Sequence, residues 1–188
     1  MNIGYGYIIN KGSALNQSGK ELEDKLRHGL SWDAKLNRYY GRGLGWGLVY
    51  SGFASTAKHS VSDDDNHVLL TYIGPTFVGK TSFGKIELKS EAGIGYFRYW
   101  QKAGGSVTGA TVTGNTIGSH VAVGLNYKTS QTSAIGFEVS YFGGGTFDEL
   151  NVKGNAGGSS TKVSLDEKMG ASKLSFTIGF RHFFGKRK

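Results

Sequence analysis

The chain has 188 residues, and its 22 lysine and arginine residues against 14 aspartate and glutamate residues give a formal net charge of +8. This length suits one domain over residues 1–188, and the absence of cysteine excludes a disulfide framework, a thiolate metal site and a cysteine nucleophile. The 31 glycines with a single proline argue against a disordered or collagen-like chain.

Apolar residues recur at every second position in eight segments, which is the pattern of half-buried β-strands. The alternating positions run from Ile3 to Ile9, Leu30 to Leu36, Leu44 to Tyr50, Val68 to Tyr72, Ile86 to Tyr96, Val121 to Tyr127, Ile135 to Tyr141 and Leu174 to Phe180. The sequence therefore predicts eight strands.

The connections between these strands alternate strictly between short and long. The short ones are residues 37–43, 79–84 and 128–133, and the long ones are residues 10–29, 55–66, 101–116 and 143–172. In an up-and-down barrel, alternate connections lie at opposite ends. The pattern predicts an all-β, eight-stranded antiparallel barrel with one compact rim and one rim of long loops, which are periplasmic and extracellular in outer-membrane barrels.

The second face of the strands indicates which way the apolar face points. It carries glycine, serine and charged residues, and an eight-stranded barrel has an interior just wide enough to be filled by side chains. Four bulky residues from each strand would overfill that space, so the apolar face is predicted to point outward toward lipid. No apolar run approaches the about 20 residues of a transmembrane helix, whereas a closed barrel can span a bilayer with its backbone paired.

Charged residues on the inner face are predicted to form a network in the lumen. Its expected members are Asp33, Lys35, Lys85, Glu87, Lys89, Glu91, Glu138, Lys173 and Arg181. Basic and acidic groups are nearly balanced, and unpaired buried charges are costly, so we expect ion pairs that fill the lumen and keep any conductance small.

Aromatic residues near the strand ends are predicted to form two interfacial girdles. The expected girdle residues are Trp32, Tyr39, Tyr40, Trp46, Tyr50, Trp100, Tyr127 and Tyr141.

Residues 42–50 and the final segment 173–184 carry a family resemblance. Over residues 2–184 the chain resembles the small Gram-negative outer-membrane β-barrels, the OmpA/OmpX-like porin superfamily. The resemblance implies that Thr177, Gly179 and Phe184 belong to a C-terminal signal read by the barrel-assembly machinery. His182 departs from that signal, since a hydrophobic residue is usual there, and residues 185–188 extend past the usual terminal aromatic. The implied location is the bacterial outer membrane, and we expect any signal peptide to be missing from this sequence.

Three loop features have mainly structural interpretations. A capping box at Ser18 and Glu21 predicts a short helix within residues 18–29. Pro75 is expected at a bulge or strand end, since it lacks a backbone donor. The acidic segment 63–66 lacks the spacing of a calcium loop, and the five histidines lack zinc-site spacing, so no metal and no cofactor are expected.

Ser119 and His120, adjacent in the sixth predicted strand, are candidates for a catalytic nucleophile and base. Adjacent residues of a strand point to opposite faces, so they cannot act together as nucleophile and base. No other catalytic signature occurs, and we expect no enzyme activity.

The long loops are therefore expected to carry the function, as a structural, surface-binding or complex-accessory protein. Residues 143–172 are predicted to extend the last two strands as a hairpin around residues 154–160. Expected partners are outer-membrane lipid and lipopolysaccharide, the assembly machinery, and a surface ligand or larger envelope complex. Nucleic acid is not expected, since basic residues form no stripe with interleaved aromatics. A narrow pore is the alternative function, and a lipid A-modifying enzyme is the third.

Overall fold

The computed structural model describes residues 1–11, 24–40, 43–58, 65–104, 109–154 and 161–184 of the chain. Residues 24–26 form one helical turn, and no helix in the described part is long and apolar enough to cross a membrane. The strands are β1 (Asn2–Lys11), β2 (His28–Tyr40), β3 (Leu44–Lys58), β4 (Asp65–Phe83), β5 (Ile86–Ala103), β6 (Ala110–Lys128), β7 (Ser133–Gly154) and β8 (Thr161–His182).

The eight strands form one closed antiparallel barrel in chain order. The first and last strands close the ring, and Ile3 on β1 lies opposite Ile178 on β8 across this seam. Closure gives each strand neighbours on both sides, which is the defining feature of up-and-down barrels. The predicted fold class is confirmed.

The connections also alternate as predicted. Residues 41–43, 84–85 and 129–132 join β2 to β3, β4 to β5 and β6 to β7 at one end, which we name the short-turn end. The other four connections lie at the opposite end, the loop end. At the short-turn end, Gly84 has a φ of +61°, a conformation that favours glycine in a two-residue turn.

The last two strands extend well beyond the length that a membrane crossing needs. β7 and β8 each have 22 residues, against about 9–11 for a tilted transmembrane strand. Their pairing continues to Val152 opposite Thr161 and shifts register between Phe142 and Gly145 and between Phe147 and Glu149. The predicted hairpin extension is present as strand on both sides, and residues 155–160 lie outside the described residues.

One strand faces the opposite way from the prediction. The alternation predicts that Val68, Leu70 and Tyr72 on β4 face lipid, but all three are buried inside the barrel. Ile73 and Phe77 lie on the outer face instead. Both faces of this segment are apolar, so alternation alone does not identify its outer side.

Pro75 lies within β4 rather than at a bulge or strand end. It is opposite Leu48 on β3, and the register with β5 is the same before and after it. Because proline has no N–H, the ladder loses a bond without a shift in pairing. The strand therefore continues to Phe83, and the turn is residues 84–85 rather than 79–84.

The outer surface of the barrel carries exposed apolar side chains on every strand. Examples from β1 to β8, each 46–67% exposed, are Ile3, Leu36, Leu48, Phe77, Ile94, Val123, Phe137 and Ile178. The inner face is crowded, since a Cβ added at Gly74 would lie 2.6 Å from Cα of Gly95. Bulky residues therefore point outward from most of the barrel wall, as the sequence predicts.

Seven of the eight predicted girdle residues lie on the outer face. They are Trp32, Tyr40, Trp46, Tyr50, Trp100, Tyr127 and Tyr141. Tyr39 is the exception, because it shares the inner face of β2 with Lys35 and Asn37, and Nζ of Lys80 lies 4.2 Å from its ring centroid. Neighbouring residues of a strand point to opposite faces, so Tyr39 and Tyr40 cannot both belong to the girdle.

The predicted loop features fall largely outside the described residues. The capping box of the predicted helix and Asp63 and Asp64 lie there. Leu26, at the end of the helical turn, is buried against the barrel core. Asn66 is also buried, and its Oδ1 accepts a bond of 3.1 Å from the backbone N–H of Gly104.

Candidate functional site

The barrel interior toward the short-turn end holds a network of ion pairs. The ammonium of Lys35 on β2 bonds to the carboxylates of Glu91 on β5 and Glu138 on β7. These side chains are 7%, 0% and 1% exposed. Buried charges are tolerated when each has a partner, and here one cation holds two carboxylates on different strands.

Two more cations complete the pairing of these carboxylates. Lys89 forms an ion pair with Glu91, and Nη2 of Arg181 lies 3.4 Å from the carboxylate of Glu138. Arg181 also donates through Nη1 to the side-chain oxygen of Asn2. The network therefore links β1, β2, β5, β7 and β8 across the interior.

Glu87 is paired with a lysine that the sequence analysis missed. Nζ of Lys80 lies 3.6 Å from the Glu87 carboxylate, and Nδ2 of Asn126 donates to it over 3.3 Å. Lys85 lies in the turn with an exposed side chain, so its predicted place in the lumen is wrong. Val78 points inward, so Lys80, two residues further along β4, points inward as well. The sequence pattern assigns residue 80 to a connection and therefore does not include it in the network.

A second polar layer lies deeper in the barrel. Nζ of Lys173 donates to Oγ of Ser31 over 3.1 Å and to Oγ of Ser51 over 2.6 Å. Ser51 in turn donates to the carboxylate of Asp33. The structure thus places eight of the nine predicted network residues inside the barrel: Asp33, Lys35, Glu87, Lys89, Glu91, Glu138, Lys173 and Arg181.

The loop-end half of the interior is filled by apolar side chains, whereas small and charged residues were expected throughout. We name this cluster the apolar plug; its fully buried members are Val49, Phe53, Leu70, Tyr72, Phe97 and Phe142. Phe142 meets the polar layer, since Nζ of Lys173 lies 4.5 Å from its ring centroid and the His120 ring stacks on it at 4.3 Å. The plug therefore fills the loop-end half of the interior, and the ion pairs cross the interior toward the short-turn end.

Ser119 and His120 lie on opposite sides of the barrel wall. Ser119 is exposed on the outer face and donates to the carbonyl of Gly143 over 2.9 Å. His120 is fully buried in the interior. No group of three or more His, Cys, Asp or Glu residues within the described ranges could hold a metal ion.

The three residues of the predicted assembly signal are spread over the end of β8. Thr177 is buried on the inner face, Gly179 is partly exposed, and Phe184 is 82% exposed beyond the strand. His182 packs edge-on against Phe184 with ring centroids 4.7 Å apart. The role of these residues in assembly stays a prediction.

Cations gather on the outer face of the strand extensions at the loop end. Lys102 on β5 and Lys153 on β7 lie on either side of Thr111 in one cross-strand row, and Lys162 on β8 lies opposite Asn151. Side chains in such a row share a face, so Lys102 and Lys153 are two strands or about 10 Å apart, and Lys162 on the next strand lies diagonally from Lys153 and about 14 Å from Lys102. With exposed Arg98, they form a surface that we name the basic patch.

No protein-family model matches the chain, and no curated protein matches it. Two solved structures are similar to the barrel over almost its whole length. Neisserial surface protein A (NspA) has a TM-score of 0.56 and 15% identity, covering 97% of this chain and 95% of that one.

The second is Ail, the attachment invasion locus protein of Yersinia pestis, solved in complex with the heparin analogue sucrose octasulfate. It has a TM-score of 0.50 and 13% identity, covering 96% of this chain and 95% of that one. Closed eight-strand topology, short and long connections at opposite ends and these two similarities together show that the chain has the fold of the small outer-membrane β-barrels.

Proposed function

We propose that this protein is an integral outer-membrane barrel that binds anionic glycans at its loop end. The band of exposed apolar side chains around the whole barrel carries the membrane part of the proposal. Soluble monomers rarely expose apolar patches beyond a few hundred Å², and burying apolar surface contributes about 25 cal/mol per Å². Lipid around the barrel supplies that burial.

The closed lumen supports binding rather than transport. Two layers follow one another along the barrel axis: the buried ion pairs of Lys35 and the apolar plug around Phe142. A dry apolar constriction resists the passage of ions. Catalysis is equally unsupported, since Ser119 and His120 lie on opposite faces of the wall. The barrel therefore serves as an anchor for the loop end.

The basic patch supports an anionic ligand. Its members Lys102, Lys153 and Lys162 lie on three strands of the same sheet, beyond the apolar band. Clustered cations on one face attract the repeated sulfate or phosphate groups of an acidic glycan. The complex of Ail with a heparin analogue is consistent with such a ligand on this fold. Lipopolysaccharide around the barrel and a soluble sulfated glycan share this chemistry.

Calorimetric titration of the purified barrel in detergent with a heparin octasaccharide tests the proposal. The variant K102Q/K153Q should bind about 10-fold more weakly, since each exposed charge contact contributes roughly 0.5–1 kcal/mol. The matched control K85Q/K128Q removes two lysines at the short-turn end and should bind like the parent protein. Equal weakening in both variants would show that only net charge matters.

A second experiment distinguishes the two sources of anionic glycan. Nanodiscs containing lipopolysaccharide and nanodiscs containing only phosphatidylcholine are compared for binding of the same octasaccharide. Competition by lipopolysaccharide identifies the surrounding lipid as the natural occupant of the basic patch, and binding in both discs identifies a soluble glycan. A protein that is folded and monomeric in buffer without detergent would refute the membrane assignment.

A further inference from the structure

We infer that the outer face of the short-turn end holds a binding site for one anionic phospholipid, formed by Arg38 and Tyr40 on β2 and Trp46 on β3. The inference rests on the membrane part of the proposed function and not on glycan binding at the loop end. Its ligand is a lipid of the surrounding bilayer, recognised by a headgroup with one negative phosphodiester.

Arg38 is a cation on a face of the barrel that otherwise meets lipid. It is exposed on the same side of β2 as Leu36 and Tyr40, which are 67% and 49% exposed. It lies opposite Trp46 on β3, and Trp46 lies opposite Phe77 on β4. An arginine on a lipid-facing surface is costly in the hydrocarbon and is tolerated near the headgroups. Arg38 therefore marks the headgroup level on this side of the barrel.

No carboxylate of the described residues neutralises Arg38. The acidic residues nearest the short-turn end, Glu87, Glu91 and Glu138, point into the interior and are 2%, 4% and 1% exposed. The Arg38 guanidinium instead lies over the ring of Tyr40, with Cζ 5.5 Å from the ring centroid. Its N–H groups are thus available to an external anion, and a phosphate matches the fork of donors that arginine presents.

Tyr40 supplies a second donor for the same anion. The indole Nε1–H of Trp46 donates to the Tyr40 hydroxyl oxygen over 2.5 Å, which fixes the hydroxyl as an acceptor on that side and leaves its own proton to donate. Both side chains are about half exposed on the outer face, so a headgroup reaches them from the bilayer. A guanidinium and a phenol hydroxyl together suit the oxygens of one phosphodiester.

Apolar side chains beside this cluster provide a place for the acyl chains of the lipid. Leu36 and Leu48 line one cavity together with Phe180 and Phe184, and Arg38 lines it as well. These four apolar side chains are 47–82% exposed on the outer face. A lipid with its chains against them buries apolar surface while its phosphate contacts Arg38. The site therefore selects an amphiphile with an anionic headgroup rather than a free anion.

Quenching of Trp46 fluorescence by brominated lipids tests the inference in phosphatidylcholine vesicles. The variant W32F/W100F leaves Trp46 as the single tryptophan. Brominated phosphatidylglycerol should occupy the site about 5-fold more readily than brominated phosphatidylcholine, because a basic residue at the membrane surface favours anionic lipid by about that factor. Equal quenching by the two lipids would overturn the site and keep the membrane assignment. No quenching by either lipid would refute insertion itself.

Variants in the same background locate the site. R38Q should abolish the preference for phosphatidylglycerol, and Y40F, which keeps the ring, should lower it to about 2-fold. The matched control K85Q removes a cation from the turn between β4 and β5, at the same end but on another side of the ring, and should keep the preference. The heat-dependent shift in electrophoretic mobility checks that each variant is folded.

Two results with these variants would overturn the site. An unchanged preference in R38Q would show that the phosphate does not contact Arg38, and equal losses in R38Q and K85Q would show that only the net charge of the short-turn end matters. Octasaccharide binding is a separate readout at the opposite end of the barrel, so failure of the loop-end proposal is distinguishable from failure of this one.

Discussion

Lys35 and Glu138 form an ion pair across the barrel interior, although 103 residues separate them in the chain. Their strands, β2 and β7, are not neighbours in the ring, so the contact joins separate parts of the wall. Glu138 also holds Arg181 on β8, and Lys35 also holds Glu91 on β5. The interior is therefore braced by side chains in addition to the backbone ladder of the wall.

Removing one partner from this ion-pair network should strongly destabilise the folded barrel. E138L leaves Lys35 and Arg181 with one carboxylate fewer, and breaking a buried pair costs about 3–5 kcal/mol. Urea unfolding in lipid vesicles, followed by tryptophan fluorescence, measures this cost. The double variant K35M/E138L should recover part of the loss. A cost below about 1 kcal/mol for E138L would show that the pairs contribute little to stability.

Arginine on the outer apolar band should also destabilise the barrel in lipid. L48R, V123R and I178R should each cost roughly 2–4 kcal/mol if the positions lie near the bilayer midplane. The same unfolding assay measures the effect, and T81R, on the outer face close to the short-turn end, is the matched control with an expected cost near zero. Equal costs at all four positions would contradict a membrane band.

Strand count, connection pattern and most inward positions follow from the sequence, because a barrel wall imposes period two on every strand. β4 shows where this reasoning stops. Residues on both of its faces are apolar near Tyr72 and Ile73, since one side meets the apolar plug and the other points out of the barrel. The inward position of Lys80 does not follow from the alternation for a different reason, because the sequence pattern predicts a connection from residue 79 whereas β4 continues to Phe83. The ion pairs of Lys35 with Glu91 and Glu138 join separate strands, and no local pattern of the sequence brings these partners together.

The crowded interior predicts that added volume on the inner face of β4 prevents folding. A Cβ at Gly74 meets the Gly95 backbone and lies 2.9 Å from the Tyr72 hydroxyl, so G74V should abolish the folded form. G154V is the control, because nothing lies within 4 Å of the corresponding Cβ. The heat-dependent shift in electrophoretic mobility reports the folded fraction. Full folding of G74V would contradict the close approach of these strands.

The apolar plug predicts that the reconstituted barrel has no stable large conductance. F142A removes a fully buried ring next to Lys173 and should admit water, giving measurable current in planar bilayers. F137A makes the same change on the outer face of the same strand and should leave the conductance unchanged. A stable large current through the parent protein would contradict the closed lumen and revive the pore alternative.

The strand extensions at the loop end should be separable from the barrel. Deleting residues 152–163 leaves Leu150 and Asn151 as a two-residue turn between Glu149 and Ser164, which already lie opposite each other. The barrel should keep its heat-dependent mobility and its protease protection, because its ion pairs and apolar plug are untouched. Octasaccharide binding should fall about 10-fold with the loss of Lys153 and Lys162. Loss of barrel assembly, or unchanged octasaccharide binding, would show that scaffold and binding surface are not divided in this way.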